Sequence, residues 1–373
     1  MSAFAELGIR KGYIKSIKEL GIITPLEIQE KAIPILIEEK TDFIGLAQTG
    51  TGKTAAFGLP ILHKIDPKSN SIQALILSPT RELVQQIKKQ LFKFTKYVDE
   101  RIFVEAVYGG ENITRQINNL KRTTHAVVAT PGRLVDLIER GAIDISNVKT
   151  VVLDEADEML SMGFKDELNK ILKSTKRGDR KTWLFSATMP EEIKRIVKIY
   201  MHPNAPRVEI NRESSVNVNI EHQYTRTTIK DKTDAIVSFL DKRETQRGII
   251  FVKTKAGAQN LSQQLIEKGF STAALEGDMQ QREREKVMRA FKNKKLQYLV
   301  STDVSARGID VRDLEFVIHH QLPDQLEYYT HRSGRTARAG KTGISIAFIL
   351  PVEIEKIQYI QKKLNIRFTE VEI

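Results

Sequence analysis

The chain has 373 residues, of which 40% are hydrophobic and 28% charged, and it contains no cysteine. This length predicts roughly two or three folded domains, and the missing cysteines exclude a disulfide scaffold, a thiolate metal site and a catalytic thiol. A net charge of +12, spread over both halves of the chain, is typical of proteins that bind nucleic acid, although solubility alone would also explain it.

Nothing in the sequence predicts a membrane protein. No apolar run approaches the roughly 18 residues that a membrane-spanning helix needs. The first 20 residues carry a charge every few positions, which differs from the apolar segment of a signal peptide. We therefore expect a cytoplasmic protein.

Short apolar runs alternate with longer amphipathic stretches in the first half of the chain. Uninterrupted apolar strands that alternate with helices indicate a parallel sheet covered on both faces. Such sheets hold their ligands in loops at the carboxyl ends of the strands. The predicted strands are 43–46, 74–78, 126–129, 150–153 and 182–185.

The alternation breaks between residues 201 and 218, which are rich in Pro, Asn and Ser, and this composition predicts a linker. We assign residues 1–207 to a first domain, 208–216 to the linker and 217–373 to a second domain of the same α/β class. The strands predicted in the second domain are 249–252, 272–275, 298–300, 316–318 and 344–350.

Residues 47–54, AQTGTGKT, follow a predicted strand and precede a helix, which is the setting of a phosphate-binding loop. Glycines let backbone N–H groups approach phosphate oxygens, and a helix N-terminus favours anions. We expect Lys53 to contact the β- and γ-phosphates and Thr54 to bind Mg²⁺. A glycine-rich turn with a solvated lysine is the simpler alternative, since Ala47 stands where the strict pattern has Gly. The predicted nucleotide-binding residues of the loop are Gln48, Thr49, Gly50, Thr51, Gly52, Lys53 and Thr54.

Asp154 and Glu155 come directly after the strand 150–153. A nucleotide site of this kind places an acidic residue at the end of an apolar strand, where it holds Mg²⁺. We therefore predict that Asp154 is a metal ligand and that Glu155 orients and polarises the attacking water. An isolated acidic cluster is more often a solvated helix start, but the upstream Lys53 and Thr54 favour the catalytic interpretation.

Residues 154–157 spell DEAD, and together with the AQTGTGKT loop they make the chain resemble the DEAD-box ATP-dependent RNA helicases over essentially its whole length. The resemblance implies two tandem RecA-like domains, each a parallel sheet flanked by helices, joined by a short linker. It also implies RNA-stimulated hydrolysis of ATP to ADP and phosphate. The expected outcome is local unwinding of short duplexes or remodelling of RNA–protein complexes.

The same resemblance places the adenine end of the nucleotide. Gln29 matches the family's Q motif, and its carboxamide would pair with adenine N6 and N7. Phe4 matches an aromatic residue that stacks on the base. Leu26 stands where the family usually has Thr or Ser. The alternatives are an exposed helix position for Gln29 and a core anchor for Phe4.

Two arginines of the second domain are expected to take part in ATP hydrolysis. Arg335 and Arg338 match the family's arginine fingers, and planar guanidinium groups suit the spread charge of a γ-phosphate in the transition state. We count Lys53, Asp154 and Glu155 with them as the catalytic residues. Asp310 would accept a hydrogen bond from a ribose hydroxyl. The residues expected to couple ATP to RNA are Asp157, Ser186, Thr188, His331 and Arg332.

Several loops that follow predicted strands would form an RNA surface through backbone N–H groups and basic side chains. Aromatic residues make up only 7% of the chain and show no stacking platform, so we expect recognition of the backbone without sequence specificity. The preference for RNA over DNA rests on the resemblance. The predicted RNA-binding residues are Pro79, Thr80, Arg81, Gly109, Gly110, Thr130, Pro131, Gly132, Arg133, Lys253, Thr254, Arg284 and Thr302.

Two other functions remain open at this point: an ATP-gated RNA clamp or annealing protein that does not unwind, and a DNA translocase of the same superfamily. ATP and Mg²⁺ are the expected cofactors, and the seven histidines show no metal-binding spacing. We expect a monomeric core with RNA as its partner and no membrane contact. Both ends of the chain lie close to the outermost motifs, as in a core cut from a longer protein.

Overall fold

The computed structural model describes residues 3–38, 41–48, 50–175, 180–210, 219–306, 314–337 and 341–373. The chain divides into two compact units, Met1–Asn211 and Arg212–Ile373, called unit 1 and unit 2 below. Within the described residues, each unit contains a sheet of seven strands, and all the strand pairs are parallel. The predicted fold class of two parallel sheets flanked by helices is confirmed.

Unit 1 has the strand order β3-β4-β2-β5-β6-β1-β7. Its strands are β1 (Phe43–Leu46), β2 (Ala74–Leu77), β3 (Val104–Val107), β4 (Ala126–Ala129), β5 (Thr150–Asp154), β6 (Lys181–Ser186) and β7 (Arg207–Glu209). Its helices are α1 (Ala3–Glu6), α2 (Lys11–Glu19), α3 (Glu27–Glu38), α4 (Lys53–Lys64), α5 (Arg81–Phe94), α6 (Ile113–Leu120), α7 (Pro131–Glu139), α8 (Ala156–Ser161), α9 (Lys165–Ser174) and α10 (Glu191–Tyr200).

The central strands of unit 1 are apolar throughout because helices cover both faces of the sheet. Strand β2, with the sequence ALIL, is buried at all four positions. Successive side chains of a strand point to opposite faces. Ile76 accordingly packs in one apolar cluster, whereas Leu75 and Leu77 pack in the cluster on the other face. A strand of this kind shows no alternation in sequence, which is the pattern that predicted it.

Unit 2 has the strand order β10-β11-β9-β12-β13-β8-β14, which is the order of unit 1 when strands are counted from the unit's own first strand. Its strands are β8 (Ile220–Arg226), β9 (Gly248–Phe251), β10 (Thr272–Leu275), β11 (Tyr298–Ser301), β12 (Phe316–His319), β13 (Gly343–Ile349) and β14 (Phe368–Glu370). Its helices are α11 (Lys232–Asp241), α12 (Lys255–Glu267), α13 (Gln281–Lys292), α14 (Asp303–Ala306), α15 (Leu326–Ser333) and α16 (Ile354–Leu364), with a 3₁₀ turn at Pro351–Glu353.

Four strands were missed by the sequence analysis: β3, β7, β8 and β14. The predicted linker also begins too early, because Val208 lies in β7 and pairs with Gly45 of β1. Three residues that alternate exposed and buried form β7, so the local pattern carries little signal. Residues 211–216 of the predicted linker lie outside the described residues.

The helices of both units are short. In the described part of the chain the longest is α5, with 14 residues. Not one of the helices found there is long and apolar enough to cross a lipid bilayer.

Candidate nucleotide site and nucleic-acid interface

The turn between β1 and α4 carries the predicted phosphate-binding loop. Gly50 and Gly52 have φ angles of +83° and +90°, a left-handed conformation that favours glycine. Helix α4 begins at Lys53, directly after these glycines, and the unpaired N–H groups of a helix's first turn attract anions. The loop therefore has the backbone shape of a phosphate site. Thr49, also predicted in this loop, lies outside the described residues.

Hydrogen bonds between its own residues stabilise the phosphate-binding loop. Lys53 is 6% exposed, and its Nζ donates a hydrogen bond to the Ala47 carbonyl at 2.8 Å. The Thr51 hydroxyl donates to the Gln48 carbonyl at 2.7 Å. Thr54 follows as the second residue of α4 and is partly exposed. The amine of Lys53 is thus held inside the loop, where a phosphate would replace the carbonyl as its partner.

Gln29 bridges α3 and the phosphate loop. It is 2% exposed, so it is not a solvated helix residue. Its Nε2 donates to the Gly52 carbonyl at 3.0 Å, and its Oε1 accepts from the Leu26 N–H at 3.0 Å. A Cβ atom at Gly52 would overlap this carboxamide, which is a second reason for glycine there. Each carboxamide atom can form one more hydrogen bond, and adenine recognition by Gln29 stays a prediction.

Phe4 is a core residue in this structure. Its side chain is 1% exposed and belongs to the apolar cluster that contains Ile9, Tyr13 and Ile17. The alternative reading of Phe4 as a core anchor therefore describes its packing. Stacking of Phe4 on adenine stays a prediction.

Asp154 ends β5 as a buried carboxylate, only 4% exposed. Among the residues that the structure describes, none donates a hydrogen bond to its Oδ1. Burial raises the pKa of Asp154 to about 7; the positive charge of Lys53 opposes this rise, and Glu155 and Asp157 add to it. A buried carboxylate oxygen without a donor is costly unless a cation binds it, so the site fits a metal ligand.

A metal at Asp154 would need ligands from outside the protein as well. Within the described ranges, no group of three or more histidine or acidic side chains is placed to hold a metal ion. Mg²⁺ typically takes one or two protein carboxylates together with phosphate oxygens and water. The arrangement suits a metal that arrives with a nucleotide.

Glu155 occupies a strained turn between β5 and α8. Its φ and ψ angles are 50° and 52°, in the left-handed backbone region that residues other than glycine rarely adopt. Such a conformation costs about 1–3 kcal/mol and is concentrated at functional sites. The strain is consistent with the predicted placement of Glu155 toward a reacting water.

Asp157, Ser186 and Thr188, predicted as coupling residues, are in direct contact. The Thr188 N–H and hydroxyl both donate to Asp157 Oδ2 at 2.8 Å, and the Asp157 N–H donates to Ser186 Oγ at 3.2 Å. The segment after β6 is therefore fastened to the start of α8. The contact is established; its role in coupling stays a prediction.

The predicted RNA loops of unit 1 follow β2, β3 and β4, which are neighbours in the sheet. Parallel strands place the three loops at one edge, as expected. Thr80, after Pro79, caps α5 by accepting a hydrogen bond from the Leu83 N–H at 3.3 Å. The Arg81 guanidinium lies against the residues 109–110, and a Cβ at Gly110 would overlap it. Glycine at 110 thus suits both the φ of +83° and the packing of Arg81, whereas a Cβ at Gly109 would make only ordinary contact.

Arg133 lies in the first turn of α7, directly after the predicted residues 130–132. Its Nη1 donates to the Glu111 carbonyl at 3.1 Å and to Gln116 Oε1 at 3.2 Å, and its side chain is 13% exposed. Arg133 therefore fixes the loop after β3 to the start of α7. The sequence analysis missed Glu111 and Gln116, because only tertiary packing brings them to Arg133.

The predicted RNA residues of unit 2 also lie after parallel strands. Thr254, after β9, caps α12 by accepting from the Gly257 N–H at 3.0 Å. Thr302, after β11, is 8% exposed and donates to Ser305 Oγ at 3.1 Å. Arg284 Nη2 donates to the Ser305 carbonyl at 2.7 Å, so Arg284 and Thr302 meet at one residue.

Arg332 is held by partners within unit 2, and its predicted role in coupling ATP to RNA stays a prediction. It is 3% exposed, its Nε and Nη2 pair with Asp303 Oδ1 and Oδ2 at 2.5 and 2.7 Å, and its Nη1 donates to the Gln321 carbonyl at 2.8 Å. All three guanidinium nitrogens are thus engaged inside unit 2. No sequence signal singled out Asp303 as the partner.

The turn after α15 carries Arg335, which is half-buried, and its N–H donates to the Arg332 carbonyl at 3.1 Å. Ala337 has a φ of 56°, in the left-handed region that favours glycine. His331 lies in α15 and is partly exposed. Arg338 and Asp310 lie outside the described residues, and their roles stay predictions.

In comparisons with known sequences, a helicase family profile matches most of each unit. The profile described as "DEAD/DEAH box helicase" matches residues 26–196, and that described as "Helicase conserved C-terminal domain" matches residues 231–340. The ATP-dependent RNA helicase CshA of Listeria monocytogenes is 43% identical over 97% of this chain and 69% of its own length. The DEAD-box ATP-dependent RNA helicase CshA of Geobacillus kaustophilus is 41% identical over 97% and 76%.

Solved structures are similar over the whole chain. Dbp5 of S. cerevisiae bound to RNA and ADP BeF3 has a TM-score of 0.90 and 31% identity, covering 100% of this chain and 96% of its own. Mss116p bound to ssRNA and AMP-PNP has a TM-score of 0.88 and 29% identity, covering 99% and 78%.

Proposed function

This chain belongs to the DEAD/DEAH box helicase family, and we propose that unit 1 binds ATP in the loop between β1 and α4. The protein is an ATP-dependent RNA helicase: it hydrolyses ATP to ADP and phosphate and acts on RNA. One observation carries the assignment of the site. The Lys53 amine lies at the carboxyl end of the sheet of unit 1, beside a glycine loop shaped for phosphate, and so does the carboxylate oxygen of Asp154 that has no donor among the described residues.

Binding begins with an exchange of partners at Lys53. Its amine leaves the Ala47 carbonyl and contacts the β- and γ-phosphates, while the first N–H groups of α4 donate to phosphate oxygens. Gln29, already fixed to the Gly52 carbonyl, offers its remaining hydrogen-bonding capacity to adenine. The loop is therefore largely preformed for the nucleotide.

Asp154 and Thr54 are the residues that would hold Mg²⁺. The ion would neutralise phosphate charge. The unpaired Oδ1 of Asp154 supports this assignment, because an ionised carboxylate there needs a cation. Lys53 already favours the ionised form of Asp154.

Glu155 orients the attacking water and accepts its proton as the water oxygen bonds to the γ-phosphorus. The bond from that phosphorus to the bridging β,γ-oxygen breaks, and ADP and phosphate result. Arg335 and Arg338 stabilise the negative charge that spreads over the γ-phosphate oxygens. The strained backbone of Glu155 supports its assignment, and the match to the family pattern supports that of the arginines.

RNA is held by its backbone along the loops after β2, β3 and β4 in unit 1 and after β9 and β11 in unit 2. Capped helix starts and glycines in these loops present N–H groups that suit phosphates of any sequence. Contacts of Asp157 with Ser186 and Thr188 link the start of α8, next to the proposed ATP site, to the end of β6. We place this activity in the cytoplasm, where ATP and RNA are both present.

The direct test measures ATP hydrolysis with and without single-stranded RNA, with DNA of the same sequence as control, together with displacement of a short RNA duplex. We expect stimulation by RNA alone and displacement that requires ATP. RNA-stimulated hydrolysis without displacement would favour the clamp, and equal stimulation by DNA would favour a translocase. A rate that neither nucleic acid changes would overturn the proposal.

A further inference from the structure

The loop between β12 and α15 connects three separate parts of unit 2. His320 offers its carbonyl to Lys232 Nζ at 2.9 Å, at the start of α11. The next residue, Gln321, accepts from Arg332 Nη1 with its carbonyl at 2.8 Å and from the Lys253 N–H with its side-chain Oε1 at 3.1 Å. Asp324, in the same loop, pairs with Lys253 Nζ at 2.8 Å.

Gln321 is the residue at which two of these connections meet. Its side chain holds the backbone of Lys253, which begins the predicted RNA loop after β9. Its main chain holds Arg332, whose carbonyl accepts from Arg335 N–H at 3.1 Å. A single residue thus lies between an RNA-facing loop and the turn that carries an arginine finger.

The arginine side of this connection is rigid. Arg332 is 3% exposed, is paired through two nitrogens with Asp303, and lies 5.2 Å from the centre of the Phe251 ring. A shift of a guanidinium held in this way would strain or break these contacts, including its hydrogen bond to the Gln321 carbonyl. A displacement of Lys253 by RNA would therefore act on the contact between Gln321 and Arg332 and, through the Arg332 carbonyl, on the turn that carries Arg335.

We propose that Gln321 is a positioning residue that links the RNA loop at Lys253 and Thr254 to the turn carrying Arg335. The link raises the maximal rate of RNA-stimulated ATP hydrolysis, and RNA is bound equally well without it. This inference rests on the proposed function, because it needs RNA stimulation and a catalytic Arg335. It adds a residue to which neither the motifs nor the resemblance assigned a role.

Gln321→Met tests the acceptor, because methionine keeps the length of the side chain and removes the oxygen. Gln321→Glu keeps an oxygen in the same position. Gln325→Met is the matched control: it makes the same change four residues on, at an exposed position with no side-chain cap hydrogen bond. All variants are made in the full chain and compared by melting temperature.

We expect Gln321→Met to lower the maximal RNA-stimulated rate about fivefold, the effect of one lost hydrogen bond. Its RNA-free rate and its half-saturating RNA concentration should match those of the unchanged protein. Its melting temperature should change little, because the Lys253–Gln321 hydrogen bond is exposed and water can replace the lost acceptor. Gln321→Glu and Gln325→Met should keep the full rate.

Three results would overturn the inference: full stimulation in Gln321→Met, a higher half-saturating RNA concentration with an unchanged maximal rate, or an equal loss in Gln321→Glu. A general loss of rate together with a lower melting temperature would also overturn it, since it would indicate a purely structural residue. Lack of RNA stimulation in the unchanged protein is a different result, because it removes the proposed function itself.

Discussion

Unit 1 and unit 2 share one strand order but differ in the turn after their first strand. In unit 1 this turn is the glycine loop before Lys53, and in unit 2 it is the segment 227–231 before Lys232. Both lysines begin a helix, both are 6% exposed, and both donate to a carbonyl, that of Ala47 at 2.8 Å and that of His320 at 2.9 Å. The same position in the fold thus holds a buried lysine twice.

The surroundings of the two lysines differ in chemistry. Leu153 pairs with Leu77 in unit 1, as His319 pairs with Phe251 in unit 2, so the register places His320 where unit 1 has Asp154. Gln321 likewise corresponds to Glu155. The second turn has no glycine, and a hydrogen bond of 2.5 Å between Thr228 Oγ1 and Asp231 Oδ2 crosses it.

The comparison shows that the same fold positions a lysine in both units, and that the neighbouring residues determine what this lysine does. Burial lowers the pKa of Lys232, opposed by Glu353, and the lysine is used to hold a neighbouring loop. The RNA side is alike in both units, since Thr80 and Thr254 cap corresponding helices. The glycine loop after the first strand thus occurs in unit 1 and not in unit 2, whereas the capped loops occur in both.

Glu155→Gln gives unit 1 the side chain that unit 2 has at the corresponding position. We expect the RNA-stimulated rate to fall about 10²–10⁴-fold, the contribution of a positioned general base. ATP binding should persist, because the phosphate loop is unchanged. Phosphate release and nucleotide titration measure the two effects. Glu192→Gln, an exposed change in α10, serves as control, and a rate within tenfold of the unchanged protein would refute the assignment of Glu155.

Exchanging the two lysines for alanine separately tests whether only one turn binds phosphate. Lys53→Ala should lower the rate about 10²–10³-fold, as loss of a charge-stabilising donor does. Lys232→Ala should leave the rate within about threefold and lower the melting temperature, because it removes the hydrogen bond to the His320 carbonyl. Steady-state ATP hydrolysis measures the rate of both variants, and thermal unfolding measures their melting temperatures. Equal losses of activity would show that the comparison is mistaken.

The free energy of unfolding should depend on pH differently in the two units. His222 in β8 is 5% exposed, and burial lowers its pKa to about 4, so the unfolded chain binds this proton more readily than the folded one. Stability is therefore lost as pH falls from 6.5 toward 4, by about 2 kcal/mol at pH 5. In unit 1, burial also lowers the pKa of His63 and His125, but it raises the pKa of Asp154 to about 7, so protonation of Asp154 offsets part of the loss.

Urea unfolding at pH 7 and pH 5, read by hydrogen exchange in β8 and β5, measures this difference. His222→Gln should reduce the pH dependence of unit 2, and the remainder comes from His319 and His320, whose pKa values burial also lowers. If the variant keeps the pH slope of the unchanged protein, another group is responsible.

The smallest expected effect concerns the two caps. Thr80→Ala and Thr254→Ala should each lower the free energy of unfolding by about 1 kcal/mol, because each removes the acceptor for a helix N–H. Serine at either position should restore it. Denaturant unfolding measures both, and a loss at only one cap would show that the RNA-side loops are not equivalent.

Predicted strands and missed strands differ in their surroundings. Strands β2, β4 and β5 lie inside the sheet and are buried at every position, so an apolar run was enough to identify them. Strands β3, β7 and β14 lie at or near an edge and expose part of their residues. Strand β8, IEHQYTR, is polar in sequence, and its buried His222 shares a hydrogen bond with the Tyr329 hydroxyl at 2.6 Å, a partner 107 residues away.

The sequence by itself determined the fold class, the family and the composition of the phosphate loop, because these depend on local patterns: glycines before a helix, an acidic pair after an apolar strand, and arginines at a fixed spacing. Only the tertiary structure decided which partners these residues have. The contact of Gln29 with Gly52, of Arg133 with Glu111 and of Arg332 with Asp303 joins segments far apart in the chain or on different elements. Such pairs arise from packing, and hydrogen-bonding groups buried by packing must find partners that local sequence does not specify.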